Sequence, residues 1–183
     1  MKKTIVLFVL LVSLAGCATY SPSNLPDFFV LGEVDVIKDS DVSVSAKFLD
    51  CDESITYFDC KTCERKIQAV LFTISNKSET NYGFRKSNVI PASIGANKAG
   101  EKCGRSIVCN GGLFPPALVR HIKINKEIKR DFLSKEMKDS RIKPNEELSG
   151  VLFFNQINKD EKVAISLINI DTGEKLLFEF SKK

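Results

Sequence analysis

The chain has 183 residues, of which 43% are hydrophobic and 27% charged, with 27 basic and 23 acidic side chains for a net charge of +4. Lys2 and Lys3 supply half of that excess, and the rest is interspersed, with no basic run interleaved with aromatics, which argues against nucleic-acid binding. Thirteen Phe and many Val and Ile describe an ordinary globular core, and the length suits one well-buried domain rather than two.

Lys2 and Lys3 form a positive n-region, and Ile5 to Val12, extended by Leu14, forms an apolar stretch of secretory-signal length. A membrane-spanning helix needs about 20 apolar residues. This run stops at Ser13 and at Ala15-Gly16, so residues 1–16 are expected to be a cleaved signal peptide.

The segment ends in Leu14-Ala15-Gly16-Cys17, which resembles the lipobox of bacterial lipoproteins. The resemblance implies a diacylglycerol thioether on Cys17, cleavage before it and acylation of the new amino group. Membrane attachment would then run through the lipid on Cys17. With Ala18 rather than Asp next, the resemblance also implies a cell-envelope protein, in the outer membrane facing the periplasm if the host is Gram-negative. One acyl chain binds reversibly, but at about 0.8 kcal/mol per buried methylene two or three hold without appreciable exchange. The plainer alternative is an ordinary signal with a chance cysteine.

Residues 17–27 are expected to be a lipidated tether, because Ser21-Pro22-Ser23-Asn24-Leu25-Pro26 favours neither helix nor sheet. The domain proper is expected over 28–183. Phe28 to Ile37 alternates loosely as a first strand, and Asp39-Ser40-Asp41 turns the chain. Val42, Val44, Ala46 and Phe48 then alternate strictly with Ser43, Ser45 and Lys47, the period of a strand with one buried and one wet face.

Cys51 to Cys63 reads as a cysteine-rich hairpin or long loop. Ile67 to Ile74 is apolar on both faces in places, as a central strand would be, and Asn81 to Val89 is the returning strand. Residues 92–143 are expected to be an insertion. Its first part, through 116, is punctuated by five glycines and carries Cys103 and Cys109. Its second is a helix opened by Pro115-Pro116, with Leu118, His121, Ile122, Ile128, Phe132 and Met137 at helical spacing. Asn125 is a candidate break within it.

Gly150–Phe154, Val163–Ile170 and Lys175–Phe180 read as a β-meander with a hairpin turn at Asp171-Thr172-Gly173-Glu174. Strands before and after one helical excursion predict a mainly β chain, an antiparallel β-sandwich with an inserted loop and α-helix. The expected core is Phe48, Leu71, Phe72, Phe154, Leu167 and Phe178.

Two stretches carry a second resemblance. Ile67 to Phe84, with Ile74-Ser75-Asn76-Lys77-Ser78 before an aromatic return strand, and Pro144 through Phe154 resemble immunoglobulin-like domains of uncharacterised bacterial lipoproteins. An Asn-Lys-Ser turn and a Pro-Gly-Glu…Gly-Val-Phe-Phe strand opening recur there. The present chain departs at Asn145, where glycine is usual. The resemblance implies an immunoglobulin-like sandwich and no catalytic residues.

Cys60-Lys61-Thr62-Cys63 is a C-x-x-C, which beside a helix N-terminus would make a thiol-disulfide oxidoreductase, with Lys61, Arg65 and Lys66 as the positive neighbourhood. Strands on both sides favour a structural role instead. A zinc site from Cys60, Cys63, Cys103 and Cys109 is disfavoured by the second spacing and by export into oxidising conditions. Disulfides are therefore expected among Cys51, Cys60, Cys63, Cys103 and Cys109: Cys103 with Cys109, and Cys51 with Cys60 or Cys63, leaving one of the latter two as a buried thiol. His121 is the only histidine and no G-x-S-x-G elbow exists, so no catalytic residue, metal or cofactor is assigned. The resulting expectation is a lipid-anchored envelope protein with a non-catalytic binding, assembly or structural role and an envelope protein partner. An envelope enzyme using Cys60 and Cys63 is the alternative.

Overall fold

The computed structural model describes residues 20–24, 35–39, 41–104 and 115–182. Residues 1–19, with the expected signal and Cys17, and residues 105–114, with Cys109, lie outside them.

Among the described residues, eight strands form two antiparallel four-stranded sheets. The first contains β1 (Asp35–Asp39), β2 (Val42–Phe48), β3 (Ile67–Asn76) and β6 (Glu147–Asn155), in that spatial order. The second contains β4 (Tyr82–Ile90), β5 (Ser140–Ile142), β7 (Lys162–Asn169) and β8 (Lys175–Ser181), in the order β5-β4-β7-β8. The apolar residues of the alternating strands meet between the sheets. Val42, Val44 and Ala46 of β2, Val70, Phe72 and Ile74 of β3, and Leu152 and Phe154 of β6 face Phe84, Val163, Ile165, Leu167, Phe178 and Phe180. Phe72 meets Phe180 edge-on across the gap, with ring centroids 5.9 Å apart.

The remaining apolar residues of β3 and β6 point the other way, into a second core. Ile67, Ala69, Leu71, Val151 and Phe153 are covered by α1 (Cys51–Phe58), α2 (Ala96–Cys103) and α3 (Pro115–Lys135). This is why β3 is apolar on both faces whereas the outer side of β2 carries Ser43, Ser45 and Lys47. Phe58, Phe132 and Phe153 form the centre of this layer, with ring centroids 4.6 to 5.4 Å apart.

Several expectations are corrected. Cys51–Phe58 is a helix, not a hairpin or loop: Asp50 accepts from the Glu53 amide at 2.8 Å and Glu53 accepts from the Asp50 amide at 3.1 Å, a reciprocal capping box. The stretch before Cys103 is also helical, and Gly100 is there for close approach, since a Cβ on it would lie 3.2 Å from Lys129 Cα on α3. Helix α3 runs unbroken past Asn125 and ends at Lys135, leaving Met137 in the core between the sheets. The last three strands are no meander, because β6 belongs to the first sheet and only β7 and β8 form a hairpin. Gly173 takes φ +77° in that turn, a left-handed conformation that glycine adopts without a Cβ clash. Of the expected core, Leu71, Phe72, Phe154, Leu167 and Phe178 are buried, while Phe48, at the end of β2, is half-buried.

Asn145, standing where the resembling domains carry glycine, takes φ +60°, a conformation asparagine tolerates. Its amide donates to the Asn76 carbonyl at 2.7 Å. The buried Asn76 side chain donates from Nδ2 to the carbonyls of Thr80, Ile142 and Lys143 at 2.8 to 3.2 Å, and its Oδ1 accepts from the amide and hydroxyl of Ser78. One side chain thus ties the end of β3 to the segment that feeds β6.

Candidate functional site: the disulfide-tied helix layer

The described cysteines all fall in or beside the helix layer. Cys51, in the first turn of α1, is bonded to Cys63, and Cys60, just past that helix, is bonded to Cys103 at the end of α2. The Cα separations are 5.6 and 5.8 Å. The expected bond from Cys103 to Cys109 is thereby replaced, because Cys103 closes a longer span back to Cys60. The leftover thiol expected at Cys60 or Cys63 is overturned as well, since both are bonded.

Cys60 and Cys63 point to different partners because the chain between them turns sharply. Asp59 leaves α1 in a left-handed conformation at φ 47°, and Cys63–Arg65 forms a 3₁₀ turn closed by Lys66 at φ 56°. The buried Ser54 hydroxyl accepts from the Thr62 amide at 3.2 Å, fixing that turn on the helix. A C-x-x-C here is two staples side by side, with Cys60 and Cys103 buried and Cys63 exposed. Among the described residues no cluster of three or more His, Cys, Asp and Glu side chains gathers to hold a metal ion. His121 lies within α3.

The second feature of this layer has no counterpart in the sequence reading. Where a loose spacer is expected, Tyr20–Asn24 lies on the helices. The Tyr20 ring packs against the helix-layer core, and its hydroxyl donates to Asp131 Oδ2 at 2.7 Å. Lys135 Nζ, one turn on, pairs with Asp131 at 2.9 Å and donates to the carbonyls of Ser23 and Tyr57. It also sits 5.3 Å from the Phe58 ring centroid, a favourable place for a cation. The Ser23 amide donates to the Thr56 carbonyl at 2.9 Å, completing the clamp on α1. The aspartate and lysine four residues apart on one helix face were a legible ion pair, but nothing local marked Tyr20 as their partner, 111 residues away.

Other groups do less. Glu136 accepts from the Ala96 amide at 3.0 Å and pairs with Lys86 of β4, linking the start of α2 to the second sheet. An open groove on β4, β5 and β7 has Arg85, Asp139, Ser140, Arg141, Ile168 and Ile170 in its lining, two guanidinium groups with one carboxylate and one hydroxyl. Glu146 accepts from the Lys143 amide, which holds its carboxyl below the ordinary carboxylate value, and Lys129, by hydrogen bond and then by charge, does the same to Glu101. No helix among the described residues is long and apolar enough to cross a membrane. Compared with known protein families, with curated proteins and with solved structures, the chain matches none.

Proposed function

We propose that the protein is a lipid-anchored cell-envelope protein, held through Cys17, whose two-sheet body is an immunoglobulin-like sandwich serving binding, assembly or structural support without catalysis. The observation that carries the reading is the pair of disulfides. Such bonds persist in oxidising compartments outside the cytosol, which is where a chain with the Leu14-Ala15-Gly16-Cys17 ending is sent. The alternative, a thiol-disulfide oxidoreductase, needs Cys60 and Cys63 to bond each other. Their separate partners favour the staple role, in which a neighbouring protein is engaged by surface and not by thiol exchange.

Mass spectrometry of the mature N-terminus tests the anchor: an acylated Cys17 is expected, and Cys17→Ser should leave the membrane fraction. An unmodified N-terminus at another residue would refute it. Crosslinking in intact envelopes followed by purification tests the role. A partner retained by the Cys60→Ser variant supports binding, and a mixed disulfide through Cys60 or Cys63 supports the oxidoreductase.

A further inference from the structure

We infer that the helix layer is the face this protein turns toward the bilayer, and that the outer stripe of α3 rests on anionic lipid headgroups. The inference rests on the anchoring reading and adds to it an orientation and a lipid chemistry. Its first support is the clamp. Tyr20 is fixed to Asp131, so Cys17, three residues earlier, lies within about 11 Å of the Tyr20 Cα even if the intervening chain is fully extended. A lipid on Cys17 therefore enters the membrane beside α3, not at the end of a free spacer.

The second support is the chemistry of the stripe. Ile122, Lys123, Lys126, Arg130 and Leu133 are exposed along one side of α3, with Ile122 at 50% and Leu133 at 38% exposure. The three cations make no ion pair among the described residues. Of the two acidic residues on the same stretch, Asp131 is paired with Lys135 and Glu127 is half-buried. Exposed cations flanked by large apolar side chains are the pattern of a helix lying in a headgroup region. Each basic residue near an anionic surface favours that position roughly fivefold.

The test uses the full-length mature protein, purified with whatever modification Cys17 carries, in vesicles of phosphatidylcholine with phosphatidylglycerol, treated with a membrane-impermeant amine reagent and digested. Relative to the protein in detergent, Lys123 and Lys126 should be labelled at least about fivefold less. Lys175, exposed at the start of β8 on the other sheet, should be labelled equally in both and serves as the internal reference. Replacing phosphatidylglycerol by phosphatidylcholine should restore most of the labelling. Equal protection of Lys175, no protection of Lys123 and Lys126, or protection indifferent to phosphatidylglycerol would each overturn the inference while an acylated Cys17 in the same digest leaves the anchor standing. An unmodified Cys17 would overturn both together.

Discussion

Gly150 is the position where one added carbon should do the most damage. A Cβ built there would lie 2.6 Å from Met137 Cα, 2.8 Å from its nitrogen and 2.9 Å from its Cβ, all backbone or next to it. Restoring ordinary contact needs Met137 to move by about 0.8 Å, judged against the 3.4 Å at which such contacts become normal. Met137 cannot yield cheaply. Its amide donates to the Val151 carbonyl at 3.0 Å, and its side chain is fully buried between the sheets. Overpacking costs about 1–3 kcal/mol, and with backbone as the obstacle Gly150→Ala belongs at the upper end. For a domain of this size that is a fall in Tm of roughly 6–12 °C. Gly83 supplies the control, since it also lies in a strand but its added Cβ would meet only ordinary contacts at 3.7 Å. Gly83→Ala should be neutral or slightly stabilising. Thermal unfolding of the two variants by circular dichroism, with disulfides intact, decides the matter: indistinguishable melting temperatures would refute the close-approach argument.

Asn76→Ala should cost about 2–4 kcal/mol by stranding the Ile142 carbonyl and its neighbours, and Asn76→Asp should be at least as harmful, because it sets a carboxylate against three carbonyls; urea titration that found Asp harmless would contradict the amide assignment. Removing Cys60–Cys103, which spans 43 residues, should cost roughly 4 kcal/mol by loop-closure entropy, against roughly 3 kcal/mol for Cys51–Cys63, which spans 12. Paired Cys→Ala variants melted side by side should keep that order, and the reverse order would show that strain or residual structure dominates. Glu101 and Glu146 have lowered folded values, so their contribution is present at neutral pH and is lost as pH falls below the ordinary 4.5 through the folded values. Glu101→Gln with Glu146→Gln should therefore shrink the stability difference between pH 7 and pH 3, and an unchanged difference would count against it.

What could be read from the chain depended on whether a residue's reason lay nearby. The alternation of Val42, Val44 and Ala46 and the two-faced apolarity of Ile67–Ile74 are consequences of the layers that cover them, and both were legible. Helix α1 was obscured because its cysteines suggested a loop, although Asp50 and Glu53 already stood at capping-box spacing. Gly100 misled in the other direction, reading as a loop residue while serving the packing of α2 on α3. Edge strand β5, three residues long, has no period to detect. The bond from Cys60 to Cys103 and the seat of Tyr20 on Asp131 join segments far apart in the chain, so no local pattern announces either.

The position of β3 sets the order in which this fold can be completed. Its partner β6 begins at Glu147, 71 residues after β3 ends at Asn76, with both helices α2 and α3 between them. A chain emerging from its N-terminus therefore presents Cys51, Cys60, Cys63 and Cys103 before the strand that closes the first sheet exists. Until then the hydrogen-bonding edge of β3, flanked by Leu71 and Phe72, stands open to any passing strand. Pairings of such long sequence separation form slowly. The helices and their two crosslinks can cover one face of β3 in the interval, and its bare edge is then the surface through which a stalled or truncated chain would aggregate.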